Sequence, residues 1–121
     1  MKLHLEQHEG INLITGYGAD HLMINKVRHD GNVLVTSDQI IPAWTRASIV
    51  ELSPADWEQV LALKPEVVLL GTGSRLRFPS PAVLRPLIEA RIGYEVMDVA
   101  AACRTYNVLV GEGRAVAAAI L

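Results

Sequence analysis

The period of the apolar residues changes once along this chain, near Leu52, and that change restricts the fold more than any other feature. Before it, short runs rich in Val, Ile and Thr are cut by Gly, Asp and Asn. Residues 12–15 stop at Gly16-Tyr17-Gly18, residues 21–25 run out near His29-Asp30-Gly31, and residues 32–36 follow directly. An Asp-Gly pair between two such runs is a strong short-range hairpin signal, so a hairpin is expected to turn at Asp30-Gly31. A further short strand, Gln39-Ile40-Ile41, stops at Pro42. The first forty residues therefore read as antiparallel hairpins.

After Leu52 the period lengthens to that of a helix. Ser53 can cap, Pro54 occupies the first helical position where no N–H is needed, and Asp56 can close a capping box. Leu52 and Trp57 stand where a hydrophobic staple has its two members. Trp57, Val60 and Leu61 form the apolar face, and Lys64-Pro65 ends the helix. Glu66-Val67-Val68-Leu69-Leu70 suits a central strand covered on both faces. Ser80-Pro81 repeats the cap-plus-proline start, with Leu84, Leu87, Ile88 and Ile92 as the stripe and Pro86 expected to kink the helix or delay its regular part. Tyr94–Met97 reads as a strand and Asp98 as the cap of a third helix running to about Asn107. The tail from Arg114 to Leu121 is alanine-rich, which favours helix by propensity. A two-turn helix without a cap is marginal, however, and Val116 and Ile120 suit a strand filling the sheet edge. Strands followed by helix–strand–helix–strand–helix predict an α/β fold in which helices cover a mixed sheet, with parallel neighbours joined by right-handed crossovers.

Length and charge restrict the function. With 121 residues the chain is expected to be a single domain, and with 50% apolar and 20% charged residues it is not disordered. Eleven basic against thirteen acidic residues argue against electrostatic capture of nucleic acid, and 5% aromatics are too few for base-stacking platforms. One cysteine cannot form an intrachain disulfide and fits a reducing compartment. The start Met1-Lys2-Leu3-His4-Leu5-Glu6 resembles neither a secretory signal nor a mitochondrial presequence, and no apolar stretch is long enough to span a membrane. A cytoplasmic protein without stable membrane insertion is the expectation.

The most localised chemical feature is Gly71-Thr72-Gly73-Ser74-Arg75, directly after the expected central strand. Glycines there permit a sharp turn and close approach of backbone N–H groups to a ligand, and open parallel sheets bind ligands at the carboxyl ends of their strands. The loop is not a dinucleotide fingerprint, a phosphate-cradling P-loop or a nucleophile elbow, so no cofactor is expected. It is read either as a structural turn or as a small-anion site formed with Arg75, Arg77 and the Ser80 helix start. One of Gly71 and Gly73 is expected to need positive φ. Asp98 reads as a cap whose place at a strand end also suits a ligand contact. Cys103, flanked by alanines, reads as core. His4, His8, His21 and His29 match no metal-binding spacing, so no metal is expected. Trp44 either plugs one end of the core or marks an exposed interaction patch.

The strand ending in Gly71-Thr72-Gly73, then Phe78-Pro79, Gly93-Tyr94-Glu95-Val96-Met97-Asp98, Cys103-Arg104-Thr105-Tyr106-Asn107-Val108-Leu109 and Glu112-Gly113-Arg114 with Val116 together resemble the small Mth-like domain family. This is a largely uncharacterised family with many short bacterial members, a mitochondrial assembly factor of respiratory complex I and an adipogenesis-associated eukaryotic protein. The resemblance implies the three-layer sandwich and places Asn107, Glu112 and Arg114 in a family motif near the glycine loop. It supplies no catalytic residues. Two functions are consistent with it: a non-catalytic module that binds a protein partner or a second copy of itself, or a binding module or enzyme for a small anion or small molecule. The second would use the crevice beside residues 71–77, with Asp98, Asn107, Glu112 and Arg114 as polar lining.

Overall fold

The computed structural model describes residues 10–121; His4, His8 and the N-terminal hexapeptide considered above lie outside them. Strands β1 (Ile14–Tyr17), β2 (His21–Ile24) and β3 (Val27–Asp30) form an antiparallel three-stranded sheet. A mixed five-stranded sheet contains β4 (Val33–Val35), β5 (Ile40–Pro42), β6 (Val67–Gly71), β7 (Gly93–Met97) and β8 (Val116–Ile120), in the order β5-β4-β8-β6-β7. A 3₁₀ turn (Pro54–Trp57) leads into α1 (Glu58–Ala62), followed later by α2 (Pro81–Glu89) and α3 (Val99–Gly111).

The two-residue alternation of the large sheet sorts its side chains into two cores. Val33, Val35, Leu69, Ala118 and Ile120 meet Ala102, Cys103, Tyr106 and Val110 of α3 and Ile14, Leu22 and Ile24 of the small sheet. On the other face, Leu34, Val68, Leu70, Ala117 and Ala119 meet Trp57, Val60, Leu84 and Leu87 of the helical elements before and after β6. The result is the expected three-layer α/β sandwich, with the large sheet in the middle.

Local signals act as the sequence predicts at the Pro54 turn and at the start of α3, whereas Ser80, at the N-cap of α2, makes no side-chain capping bond. The Ser53 N–H donates to Asp56 Oδ2 at 2.8 Å, Leu52 and Trp57 are both buried, and the Ala101 N–H donates to Asp98 Oδ1 at 2.8 Å. Pro86 lies inside α2, yet the helix continues past it, with the Ala90 N–H reaching the Pro86 carbonyl at 3.1 Å. Of the expected α2 stripe, Leu84 and Leu87 are buried, whereas Ile88 is exposed. Helix α3 extends one turn beyond Asn107.

Two expectations need correction. The hairpin does not turn at Asp30-Gly31. It turns at Asn25-Lys26, both left-handed (φ 52° and 68°), between the partners Ile24 and Val27. Two left-handed central residues match the right-handed strand twist, and asparagine tolerates that conformation well. Gly31 (φ 78°) instead carries the chain from the small sheet to the large one. The tail is a strand, as favoured above, but a central one: β8 runs antiparallel to β4 and parallel to β6, with all five residues buried. Alanines on both faces leave room for α3 on one side and for the tryptophan layer on the other, so packing overrides helix propensity.

Trp44 also resolves. It is 3% exposed, its Nε1–H donates to the Ile120 carbonyl at 3.1 Å, and its ring lies 5.7 Å from that of Trp57. It closes one core and presents no surface patch.

Candidate functional site

Strands β6, β7 and β8 are parallel, so their carboxyl ends, at Gly71, Met97 and Ile120, lie side by side. There the chain must leave the sheet. Thr72, itself buried, organises that exit: its N–H donates to the Met97 carbonyl at 2.8 Å. Its hydroxyl donates to the Arg75 carbonyl at 2.6 Å, with the Met97 carbonyl 3.2 Å away, and accepts the Arg77 N–H at 3.1 Å. Gly73 takes φ 90°, as expected of one of the two glycines, and its carbonyl accepts the Val99 N–H at 2.8 Å. Gly71 is needed for a different reason: a Cβ there would stand 2.7 Å from Ile120 Cδ1 and 3.3 Å from Ala102 Cβ.

Three adjoining depressions share Gly73. The most open, about 490 Å³, lies between the glycine loop and the 46–51 segment, and its lining includes Ser74, Arg75, Arg77, Arg46, Ser48 and Glu51. A second, about 250 Å³, reaches Asp20, His21 and Asn32, and a third, about 390 Å³, reaches Tyr17 and Asp98. Thr72, Gly73, Ser74, Arg75, Arg77 and Asp98 are thus gathered at one end of the sheet, with Gly71 directly beneath. Asp98 caps α3 through Oδ1 and also lines the third depression.

Asn107, Glu112 and Arg114 are not near the loop, contrary to the expectation drawn from the resemblance. Helix α3 begins against Gly73 and carries its far end about 20 Å away. Asn107 pairs with the backbone of β1, accepting the Ile14 N–H at 2.9 Å and donating to the Ile14 carbonyl at 2.8 Å. Glu112 is the C-cap of α3. Arg114 Nε donates to Glu66 Oε1 at 2.9 Å, and the Ala115 N–H donates to the same oxygen at 3.0 Å, both at the opposite ends of β6 and β8 from Gly71. The Arg114 hydrogen bond holds the Glu66 carboxyl below the ordinary carboxylate range, although both groups are solvent-exposed.

Sequence reasoning missed Arg46 and Asn32. The Asn32 amide donates to the Thr45 and Ala47 carbonyls at 2.9 and 3.1 Å. The buried Thr45 hydroxyl donates to Asp56 Oδ1 at 2.7 Å and accepts the Ala47 N–H at 3.1 Å. Arg46 is therefore flanked by two anchored residues, yet contacts between positions 32, 45 and 56 leave no trace in local spacing. Nucleophilic chemistry finds no support in these contacts. Cys103 is buried, and burial pushes its thiol up to about 11. No base is hydrogen-bonded to Ser74 among the described residues. Nor do those residues contain a cluster of three or more metal-ligating side chains.

The chain is similar along most of its length to several known proteins. It is 30% identical over 110 residues to the bovine NADH dehydrogenase [ubiquinone] 1 alpha subcomplex assembly factor 3, covering 89% of this chain but only 59% of that protein. A Bordetella parapertussis protein known from its crystal structure superposes with a TM-score of 0.85 at 34% identity, covering 93% of this chain and 96% of the other. A Bordetella pertussis protein described as a Mth938-like domain superposes at 0.79 with 28% identity, covering 93% and 86%. Residues 14–121 match the model of the proteins of unknown function DUF498/DUF598, and the chain belongs to that Mth938-like family.

Proposed function

We propose that this chain is a non-catalytic interaction domain that docks a protein subunit during assembly of a larger complex. The observation carrying the reading is the alignment of 89% of the chain with a protein named as an assembly factor. The chain spans 59% of that relative's length. The glycine-loop end offers suitable chemistry for docking: Leu76 and Phe78, in the loop that follows Gly73, are 51% and 72% exposed. An exposed aromatic side chain beside arginines is a preferred anchor in protein interfaces. Trp44, the earlier aromatic candidate, is excluded from that role by its burial.

Among the described residues, no helix is long and apolar enough to cross a membrane. The test is affinity capture from the native cell with the wild-type chain and with the Leu76→Asp/Phe78→Asp double variant. A partner recovered at stoichiometric yield with the first and lost with the second is expected. Recovery of no reproducible partner, or equal recovery with both, would count against the reading.

A further inference from the structure

We propose that the crevice between the 46–51 segment and the glycine loop binds the phosphate group of a small phosphorylated molecule, held by Arg46, Arg75 and Arg77. The inference stands on the crevice alone, and it survives or fails independently of the protein-docking reading.

The two polar residues buried among those described are Thr45 and Thr72. Each fixes a segment that carries arginine into this crevice. Thr72 bonds the carbonyl of Arg75 and the N–H of Arg77, whereas Thr45, next to Arg46, is tied to Asp56 and to the Ala47 N–H. Asn32, which also lines the crevice, bonds the carbonyls on both sides of Arg46. The three guanidinium groups are thus attached to backbone fixed by partly buried hydrogen bonds, while the side chains themselves are exposed. Fixing the backbone in advance lowers the entropy lost when a ligand binds.

Arginines outnumber carboxylate side chains in the crevice by three to one. None of the three arginines belongs to an ion pair among the described residues, although four such contacts occur elsewhere, at residues 20, 21, 28, 30, 66 and 114. The one carboxylate side chain lining the crevice, Glu51, accepts the Ser48 N–H at 3.0 Å; bonds from Ser48 hold its pKa below the ordinary carboxylate range. The N–H groups of Gly73 and Ser74 donate to no acceptor among the described residues, and Gly73 has the left-handed conformation that commonly occurs in anion-binding loops. Arginine's planar fork matches phosphate oxygens two at a time. A volume of about 490 Å³ exceeds what a lone phosphate fills and suits a small phosphorylated compound.

Thermal unfolding of the wild-type chain in inorganic phosphate and in glycerol 3-phosphate, against sodium chloride at matched ionic strength, tests the proposal. Both phosphates should raise Tm saturably, by about 5 °C at ten times the dissociation constant, whereas chloride should not. Arg46→Ala and Arg75→Ala should each raise the apparent Kd roughly tenfold or more. Arg91→Ala, an exposed arginine at the opposite ends of the strands, should leave it unchanged. For a variant that folds poorly, amide NMR shifts in the wild type give a second readout, with Gly73 and Ser74 expected to move on phosphate titration. Equal Tm rises in all variants, equal rises with chloride, or no shift with glycerol 3-phosphate would overturn the proposal.

Discussion

Replacing Asn107 by alanine removes two hydrogen bonds at once, because its amide both accepts from and donates to the backbone of Ile14. Ile14 is only 5% exposed, so its freed N–H and C=O would gain little water in compensation. With a net worth near 1 kcal/mol for each bond and an added cost for polar groups left unpaired, the substitution should destabilise by about 2–4 kcal/mol. Urea unfolding is a suitable assay: at a slope of about 2 kcal/mol/M, the midpoint should fall by about 1–2 M with the slope unchanged. Asn107→Asp sharpens the test, since a carboxylate can still accept the Ile14 N–H but would set a charged oxygen against the Ile14 carbonyl. It should be destabilising at neutral pH and partly recover on acidification, when a protonated oxygen can donate. Hydrogen exchange should show the opening concentrated in β1. A midpoint shift below about 0.2 M for Asn107→Ala would falsify the anchoring role and return Asn107 to the pool of ligand-binding candidates.

The two loop glycines should fail for different reasons. Gly73→Ala meets no atom within 4 Å and should cost about 1–2 kcal/mol through its φ alone, with no rescue by a second substitution. Gly71→Ala should cost about 1–3 kcal/mol by crowding Ile120 Cδ1, and Ile120→Val, which deletes that atom, should recover part of the loss in a double-mutant cycle. Cys103, with its pKa raised by burial to about 11, should resist iodoacetamide at pH 8 in the folded state and react rapidly in urea; equal rates would contradict its burial. Asp56 is raised by burial but lowered more by the Ser53 backbone and the Thr45 and Ser53 hydroxyls, so its folded pKa lies below its ordinary value. That sign means its contribution is present at neutral pH and lost as pH falls through the folded value. Tm should therefore drop as the pH falls from neutral to below the ordinary aspartate range, and Asp56→Asn should flatten that drop.

What could be read from the sequence was what neighbouring residues decide. Ser53, Pro54 and Asp56 lie within one turn, as do Asp98 and Ala101, and both caps form because their geometry depends on the local backbone alone. The turn at Asn25-Lys26 escaped because Asp30-Gly31 carries the stronger local signal, and only the sheet change at Gly31 reveals that this signal serves another purpose. The position of β8 depends on the alanines fitting between two layers, which no window along the chain contains. The candidate site was half legible for the same reason: Thr72 to Arg77 are consecutive, but Arg46 arrives through Asn32, Thr45 and Asp56.

The two ends of the large sheet therefore divide the sequence motifs by role. At the amino ends of β6 and β8, the Glu66–Arg114 pair closes the strand starts, and further along α3 Asn107 ties the helix to the small sheet. Each of these groups is engaged in contacts that join elements of the fold: Glu66 with Arg114 and the Ala115 N–H, and Asn107 with the Ile14 backbone. At the carboxyl ends, the buried threonines satisfy the backbone while the arginines beside them remain unpaired among the described residues. Substitution at the first end should lower stability before it alters any binding; substitution of Arg46, Arg75 or Arg77 should do the reverse. An Asn107→Ala variant that retained wild-type stability yet lost phosphate binding would invert this division, and would place the functional surface along α3 instead of at the glycine loop.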